Sequence, residues 1–214
     1  MNSGAALSAM TRQSTPVKIA EQLRERMIDG HFAPGQQINE VLVAGQLNLS
    51  RGPLREALQR LSQEGLLVSR PNRGVFVVQL TKDDVDEIYR VREILELGAA
   101  EIIAAQPALQ RRQTSRKLLE IAVKLAEAAE ADDWAQVFRL DLEFHTTLVA
   151  ESGKSRLLRA YTTLATESLM CMTNLDQAYP ALSSVSNHTV MAELIATGTF
   201  PEIRAAFHRH LSVQ

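Results

Sequence analysis

Between Lys82 and Leu211 the sequence has no alternating apolar–polar run of the strand type, and its apolar residues return every three or four positions in six successive stretches. This constrains the chain more than any other feature. Amphipathic helices joined by short breaks bury their stripes against one another, as antiparallel neighbours in a bundle. The expected helices cover 82–105, 109–131, 133–152, 155–174, 184–197 and 201–211, with breaks at Gln106-Pro107, Ala131-Asp132, Gly153 and Gly198. Residues 175–183, with Pro180 among them, read as the one looser loop.

Ahead of Leu80 the texture differs. Ile19, Leu23 and Met27 mark a helix over 17–29, stopped by Gly30 and Ala33-Pro34-Gly35, and a short helix follows over 40–47. Ser50 is a good N-cap for a third helix, Pro53 falls in its first turn where a missing N–H is harmless, and Gly65 ends it. Two short β-type runs, 66–69 and 75–78, flank the turn sequence Arg70-Pro71-Asn72-Arg73-Gly74. Helix, helix, helix, hairpin is the order of a winged helix-turn-helix. The expected fold is thus mostly α: a disordered tail over 1–15, a winged helix-turn-helix over 16–80, and an all-α helical bundle over 81–214.

The third helix carries a polar face that can read DNA. Arg51, Arg55 and Gln59 are spaced four apart, opposite Leu54, Leu58 and Leu61. An arginine bonds a guanine edge bidentately or clamps a phosphate, and the helix N-terminus adds donors for a phosphate. Arg70 and Arg73 on the hairpin would reach a neighbouring groove as a wing. Charge agrees with this placement: residues 1–80 hold nine basic and six acidic residues, a net of +3, and the remainder holds 14 and 19, a net of −5.

A second set of polar residues lies where apolar ones are expected. Asp141 and His145, four apart, share a face with Trp134, Val137, Phe138, Phe144 and Leu148. His188 stacks with Met191 and Ile195, and His210 with Ile203 and Phe207, whereas His208 is rotated by about 200° and should face solvent. Buried carboxylates and imidazoles need partners. Three imidazoles and a carboxylate from three helices make a site for a divalent transition ion, Zn²⁺ first, with Ni²⁺ or Mn²⁺ as alternatives. Hydrogen-bonded core histidines are the other reading of the same residues.

Several classes are excluded or disfavoured. A 45% hydrophobic fraction supports a sizeable core, and no apolar run approaches the roughly 20 residues that span a bilayer, so no membrane partner is expected. Residues 1–15 lack the apolar core of a secretion signal, and Cys171 is the only cysteine, so no internal disulfide forms. A cytoplasmic location is expected.

The run Leu49-Ser50-Arg51-Gly52-Pro53-Leu54-Arg55-Glu56-Ala57-Leu58, then Arg60-Leu61, Glu64-Gly65-Leu66 and Pro71-Asn72-Arg73-Gly74, resembles the GntR family of bacterial regulators over about residues 16–80. The resemblance implies that Arg51 and Arg55 contact operator DNA and that Gly74 lies at the wing tip. The expected contact set is Ser50, Arg51, Pro53, Arg55, Gln59, Arg70, Arg73 and Gly74. Some members carry a further DNA-touching arginine in the second helix, where Val41 stands here.

Residues 82–212 resemble the FCD effector domain of the FadR-type branch, on Arg92 with Glu96, Asp141-Leu142-Glu143-Phe144-His145, His188 and His210-Leu211. That resemblance implies a metal on Asp141, His145, His188 and His210, which in turn holds a carboxylate-bearing effector, and a homodimer through the helical domains. Arg92 has two readings, an effector contact or a structural i,i+4 partner of Glu96. Relatives often show an arginine shortly before the third-helix histidine, and Ala181-Leu182-Ser183-Ser184-Val185-Ser186-Asn187 has none. Met170, Met172 and Leu175 read as dimer surface or as core.

These readings together predict a non-enzymatic regulator. It binds a two-fold double-stranded operator as a homodimer, and a small carboxylic or sugar acid tunes its affinity. A metal-dependent hydrolase and a non-catalytic interaction scaffold are the alternatives. The hydrolase needs a general base beyond the four ligands, and none is positioned in the sequence.

Overall fold

The computed structural model describes residues 15–174 and 181–212. It contains the two predicted parts. In the first, α1 (Thr15–Ile28) packs Ile19, Ala20, Leu23 and Met27 against Leu54, Ala57, Leu58 and Leu61 of α3 (Arg51–Gln63). The short α2 (Glu40–Gln46) adds Val43 and Ala44 to this core. Its N-cap, Asn39, accepts from the amides of Val41 and Leu42, both at 3.1 Å. Ser50 occupies the N-cap position of α3 in extended conformation, but its side chain makes no capping bond.

Gly65 ends α3 with φ of 78°. Its amide returns to the Ser62 carbonyl at 3.3 Å and that of Leu66 to the Leu61 carbonyl at 3.0 Å, closing a Schellman cap. The chain then enters the antiparallel hairpin β1 (Leu67–Arg70) and β2 (Gly74–Val77), in which Leu67 pairs with Val77 and Arg70 with Gly74. Each strand lies one residue from its expected bounds. A third edge was not expected: Gln37 bridges Phe76, Ile38 N–H donates to Val75 O at 2.8 Å, and Val77 N–H donates to Gln36 O at 2.9 Å.

The second part has helices and no strand among its described residues. It runs α4 (Lys82–Ala104), α5 (Ala108–Glu130), α6 (Trp134–Glu151), α7 (Ser155–Asn174), α8 (Ala181–Thr197) and α9 (Phe200–Leu211). Thr81 and Asp84 form a capping box that starts α4, with Asp84 N–H to Thr81 Oγ1 at 3.2 Å and Thr81 N–H to Asp84 Oδ2 at 2.7 Å. The main core gathers Ile103, Leu118, Leu125, Phe144, Leu148, Met191, Ile195 and Phe207 from α4, α5, α6, α8 and α9. α7 closes the far side of α4 and α6, burying Tyr161 and Ala165 against Ala99 and Val149.

The expected loop bounds change. α8 starts at Ala181, so the looser loop expected over 175–183 is helical at its end, and residues 175–180 lie outside the described residues. The expected tail over 1–15 lies outside them too, except for Thr15, which opens α1. Of its two readings Met170 takes the core one: it is buried in the core of the first part, beside α1 and α3. The Met172 side chain and Leu175 lie outside the described residues.

Met170 is one of several contacts between the two parts. Arg139 on α6 donates to Glu25 Oε2 of α1 at 3.2 Å and to Asp29 Oδ1, just past the end of that helix, at 2.6 Å. Glu167 on α7 lies against Gly65.

Candidate metal centre and nucleic-acid interface

One turn of α6 places Asp141 and His145 on its buried side, α8 contributes His188, and α9 contributes His210. The bundle brings all four together, with one ligating atom from each within 4.8 Å of the others. Asp141 Oδ1 lies 3.1 Å from His188 Nε2 and 3.9 Å from His145 Nε2. His145 Nε2 lies 3.0 Å from His210 Nε2. Asp141, His145 and His188 are buried and His210 is half-buried. Phe144 packs edge-on against His188 and His145, with ring centroids 4.7 and 5.3 Å apart.

Charge and protonation suit a cation. Burial pushes the His210 imidazole well below its usual range, assisted by His188 and His145, so its ring is neutral with a lone pair to give. Burial would raise Asp141, but the His188 hydrogen bond and the charges of His145, His188 and Arg92 outweigh it and keep the carboxylate ionised. Asp141 Oδ2 and His210 Nδ1 are buried without a hydrogen-bond partner. Three imidazole nitrogens and one carboxylate oxygen, convergent, are a donor set that a divalent transition ion satisfies.

Behind these residues stands a carboxylate that sequence reading treated only as a partner for Arg92. Glu96 Oε2 lies 2.6 Å from His145 Nδ1, and Glu96 Oε1 accepts from Tyr161 OH at 3.0 Å and Arg92 Nε at 3.1 Å. Burial opposes ionisation of Glu96, but the charges of His145 and Arg92 and these bonds outweigh it. An ionised carboxylate only accepts, so Nδ1 of His145 carries a proton, and Nε2 is the ring nitrogen that faces the centre. Tyr161 was also missed. Its signal was its place on the apolar stripe of α7 with Leu157, Leu158 and Ala165.

Arg92 is fully buried. Its Nε serves Glu96, which is the structural reading, but its terminal nitrogens have no hydrogen-bond partner and one lies 3.8 Å from Asp141 Oδ2. Burial disfavours the charge, and Tyr161, Glu96, Tyr89 and Asp141 more than restore it. His208, expected in solvent, is exposed at 67% and holds Glu93 with Nδ1 at 2.6 Å.

On the first part, Arg51, Arg55 and Gln59 share the exposed side of α3, while Leu54, Leu58 and Leu61 are buried. Ser50 is exposed at the start of that helix and Pro53 is half-buried in its first turn. Arg70, Arg73 and Gly74 are exposed on the hairpin, and Gly74 adopts φ of 98°, which only glycine takes readily. The Arg70 guanidinium lies over the Phe76 ring, 4.7 Å from its centroid. Gln37 Nε2 holds the Arg73 carbonyl at 2.7 Å and so braces the wing tip. Val41 is 61% exposed and offers a phosphate no side-chain donor. Sequence reading did not foresee that Arg55 Nε donates to Glu40 Oε2 at 2.8 Å.

Residues 15–77 match the family described as "Bacterial regulatory proteins, gntR family", and residues 87–213 match the FCD domain. The Nta operon transcriptional regulator of Aminobacter aminovorans is 37% identical over 131 residues, 60% of either chain. The chain thus spans 60% of the length of that curated relative. The gluconate operon transcriptional repressor of Bacillus licheniformis is 30% identical, over 72% of this chain and 62% of its own. A solved structure described as a putative transcriptional regulator GntR from Rhodococcus sp. RHA1 superposes with a TM-score of 0.79 at 24% identity, covering 93% of this chain and 94% of its own. That last likeness concerns the fold.

Proposed function

From a chain that belongs to the GntR family of bacterial transcription regulators and carries the FCD domain, we propose a sensor that binds operator DNA as a homodimer and takes a small carboxylic or sugar acid at a metal centre. DNA-binding regulation is the family's activity, and membership removes the hydrolase alternative. In this reading residues 16–80 bind DNA, and residues 81–214 bind the effector and dimerise.

One observation carries the sensing half: four ligating atoms from three helices lie within 4.8 Å of one another, three of the four residues being buried. Asp141, His145, His188 and His210 would hold one divalent transition ion, Zn²⁺ first, with Ni²⁺ and Mn²⁺ as alternatives. Once bound, it supplies positive charge and open coordination positions for carboxylate oxygens. Glu96 orients His145, and Arg92 brings to the same place a buried cation whose two terminal nitrogens have no hydrogen-bond partner. A relative named for the gluconate operon supports a sugar acid as the effector class.

On the DNA side, α3 enters the major groove with Arg51, Arg55 and Gln59. Ser50 and Pro53 bring its N-terminus to a phosphate, and Arg70, Arg73 and Gly74 form the wing. α6 links the two ends: Asp141 and His145 lie on its buried side, and Arg139 on the same helix grips α1. A two-fold operator calls for a second copy. The α4 stripe of Val91 and Ile94, with Gly98 open to its surroundings, supports a helix-to-helix dimer face; Ile94 is 70% exposed.

Metal analysis of the purified chain tests the centre. One ion per chain is expected, and Asp141→Ala and His210→Ala should each lose it. A thermal-shift screen of small carboxylic and sugar acids, with and without chelator, should return a ligand that stabilises only the metal-loaded form. Stoichiometric metal retained in both variants would sink the assignment.

A further inference from the structure

We infer that Glu40 is a positioning residue for Arg55 and biases it toward reading a base edge over clamping a phosphate. The inference rests on α3 being the reading helix proposed above. Glu40 opens α2, Arg55 lies fifteen residues later in α3, and the fold joins them through Nε and Oε2 at 2.8 Å. The side chains retain 65% exposure for Arg55 and 26% for Glu40, so the pair sits on the surface that a duplex would meet. An exposed pair of this kind adds little to folding stability.

A guanidinium has two edges that fit paired acceptors: Nε with one terminal nitrogen, and the two terminal nitrogens together. Glu40 occupies Nε and with it the side edge. The terminal edge remains, and guanine O6 and N7 accept it bidentately. The carboxylate also offsets the arginine's charge. Attraction to a phosphate depends on that charge, and a phosphate seated here would meet a second anion at short range. Base-edge bonding depends on geometry, which the Glu40 anchor improves by restricting the side chain. Among the described residues Arg51, one turn earlier on the same face, forms no ion pair, so it keeps its full charge for the backbone. The two arginines thereby divide the work between base reading and phosphate holding.

The test uses full-length protein, duplexes that the wild-type chain selects from a randomised pool, and a scrambled duplex of the same composition, titrated over a range of salt. In Glu40→Gln the scrambled duplex should bind more tightly, and the selected-to-scrambled affinity ratio should fall about tenfold. The salt slope should steepen by about one, the signature of an added phosphate contact. Glu40→Asp keeps the negative charge at the start of α2 but shortens its reach, so it should behave like Glu40→Gln. Wild-type behaviour in Glu40→Asp assigns Glu40 to the helix dipole and overturns the proposal. An unchanged ratio and slope in Glu40→Gln also overturns it. Arg55→Ala separates the two levels. If that variant binds the selected duplex as well as wild type, the reading of α3 fails. If it binds weakly while Glu40→Gln is unchanged, only the role of Glu40 fails.

Discussion

Arg139 Nη2 lies 2.6 Å from Asp29 Oδ1, joining the helix that carries Asp141 and His145 to the residue that follows α1. This outward arginine and the inward aspartate are two positions apart, about 200° of rotation on a helix. If an effector binds as proposed, a small rotation or shift of α6 would reach the first part directly, because a packed helix moves as a unit. The ion pair is half-exposed, so its contribution to stability is about 0–1 kcal/mol. Its value lies in where it connects.

Arg139→Ala should accordingly leave thermal unfolding nearly unchanged and weaken communication between the parts. The difference in affinity for a selected duplex between Zn²⁺-loaded and chelated protein should shrink. If the variant retains the full wild-type difference, coupling does not run through this contact.

Glu96→Gln should lower metal affinity by roughly 10–100-fold in a competition with a chelating dye, because His145 loses the charged, acceptor-only partner that fixes its tautomer. It also leaves Arg92 buried beside a neutral amide, which should cost about 3–5 kcal/mol in denaturant unfolding. Unaltered metal affinity in the folded variant would remove Glu96 from the site's support.

Gly65 and Gly30 form a matched pair. Both hold positive φ, 78° and 75°, but a Cβ at Gly65 would strike the Glu167 carboxylate whereas one at Gly30 meets nothing within 4 Å. Gly30→Ala should cost about 1 kcal/mol of backbone strain. Gly65→Ala should cost about 1–3 kcal/mol more, since the interface between the parts must open as well. Equal shifts in unfolding midpoint would mean that Glu167 moves aside without cost.

Acid should destabilise the metal-free protein through His210. Burial, then His188 and His145, hold its folded pKa well below the ordinary 6.5. Between that lowered value and 6.5 the unfolded chain binds a proton that the folded chain refuses, so stability rises with pH across this window and is lost on acidification. In chelator, the unfolding temperature should fall as pH drops below about 6.5, and His210→Asn should flatten that slope. A slope of the same size in the variant would assign the acid sensitivity to other groups.

Ile94→Glu should shift the chain from dimer to monomer in light scattering at micromolar concentration, with helical content intact. A charge at a 70% exposed position is harmless in a monomer but costly within an apolar helix contact. A persisting dimer would place the interface elsewhere.

Much of this molecule was legible before any coordinates. The 3.6-residue period of Leu54, Leu58 and Leu61 announced α3 and its exposed arginines, because a core stripe leaves only one side for the polar residues. His188 and His210 were likewise readable as inward-facing, since each shares a stripe with residues that are now buried. What the linear chain could not decide was which long-range partners these side chains meet. Glu96 under His145, Glu40 on Arg55 and Arg139 on Asp29 lie 49, 15 and 110 residues apart. Periodicity determines which face of an element is buried. Only the packing of whole helices decides which two faces come within hydrogen-bond range, and that packing set the four-residue cluster, the carboxylate behind it and the contact between the two parts.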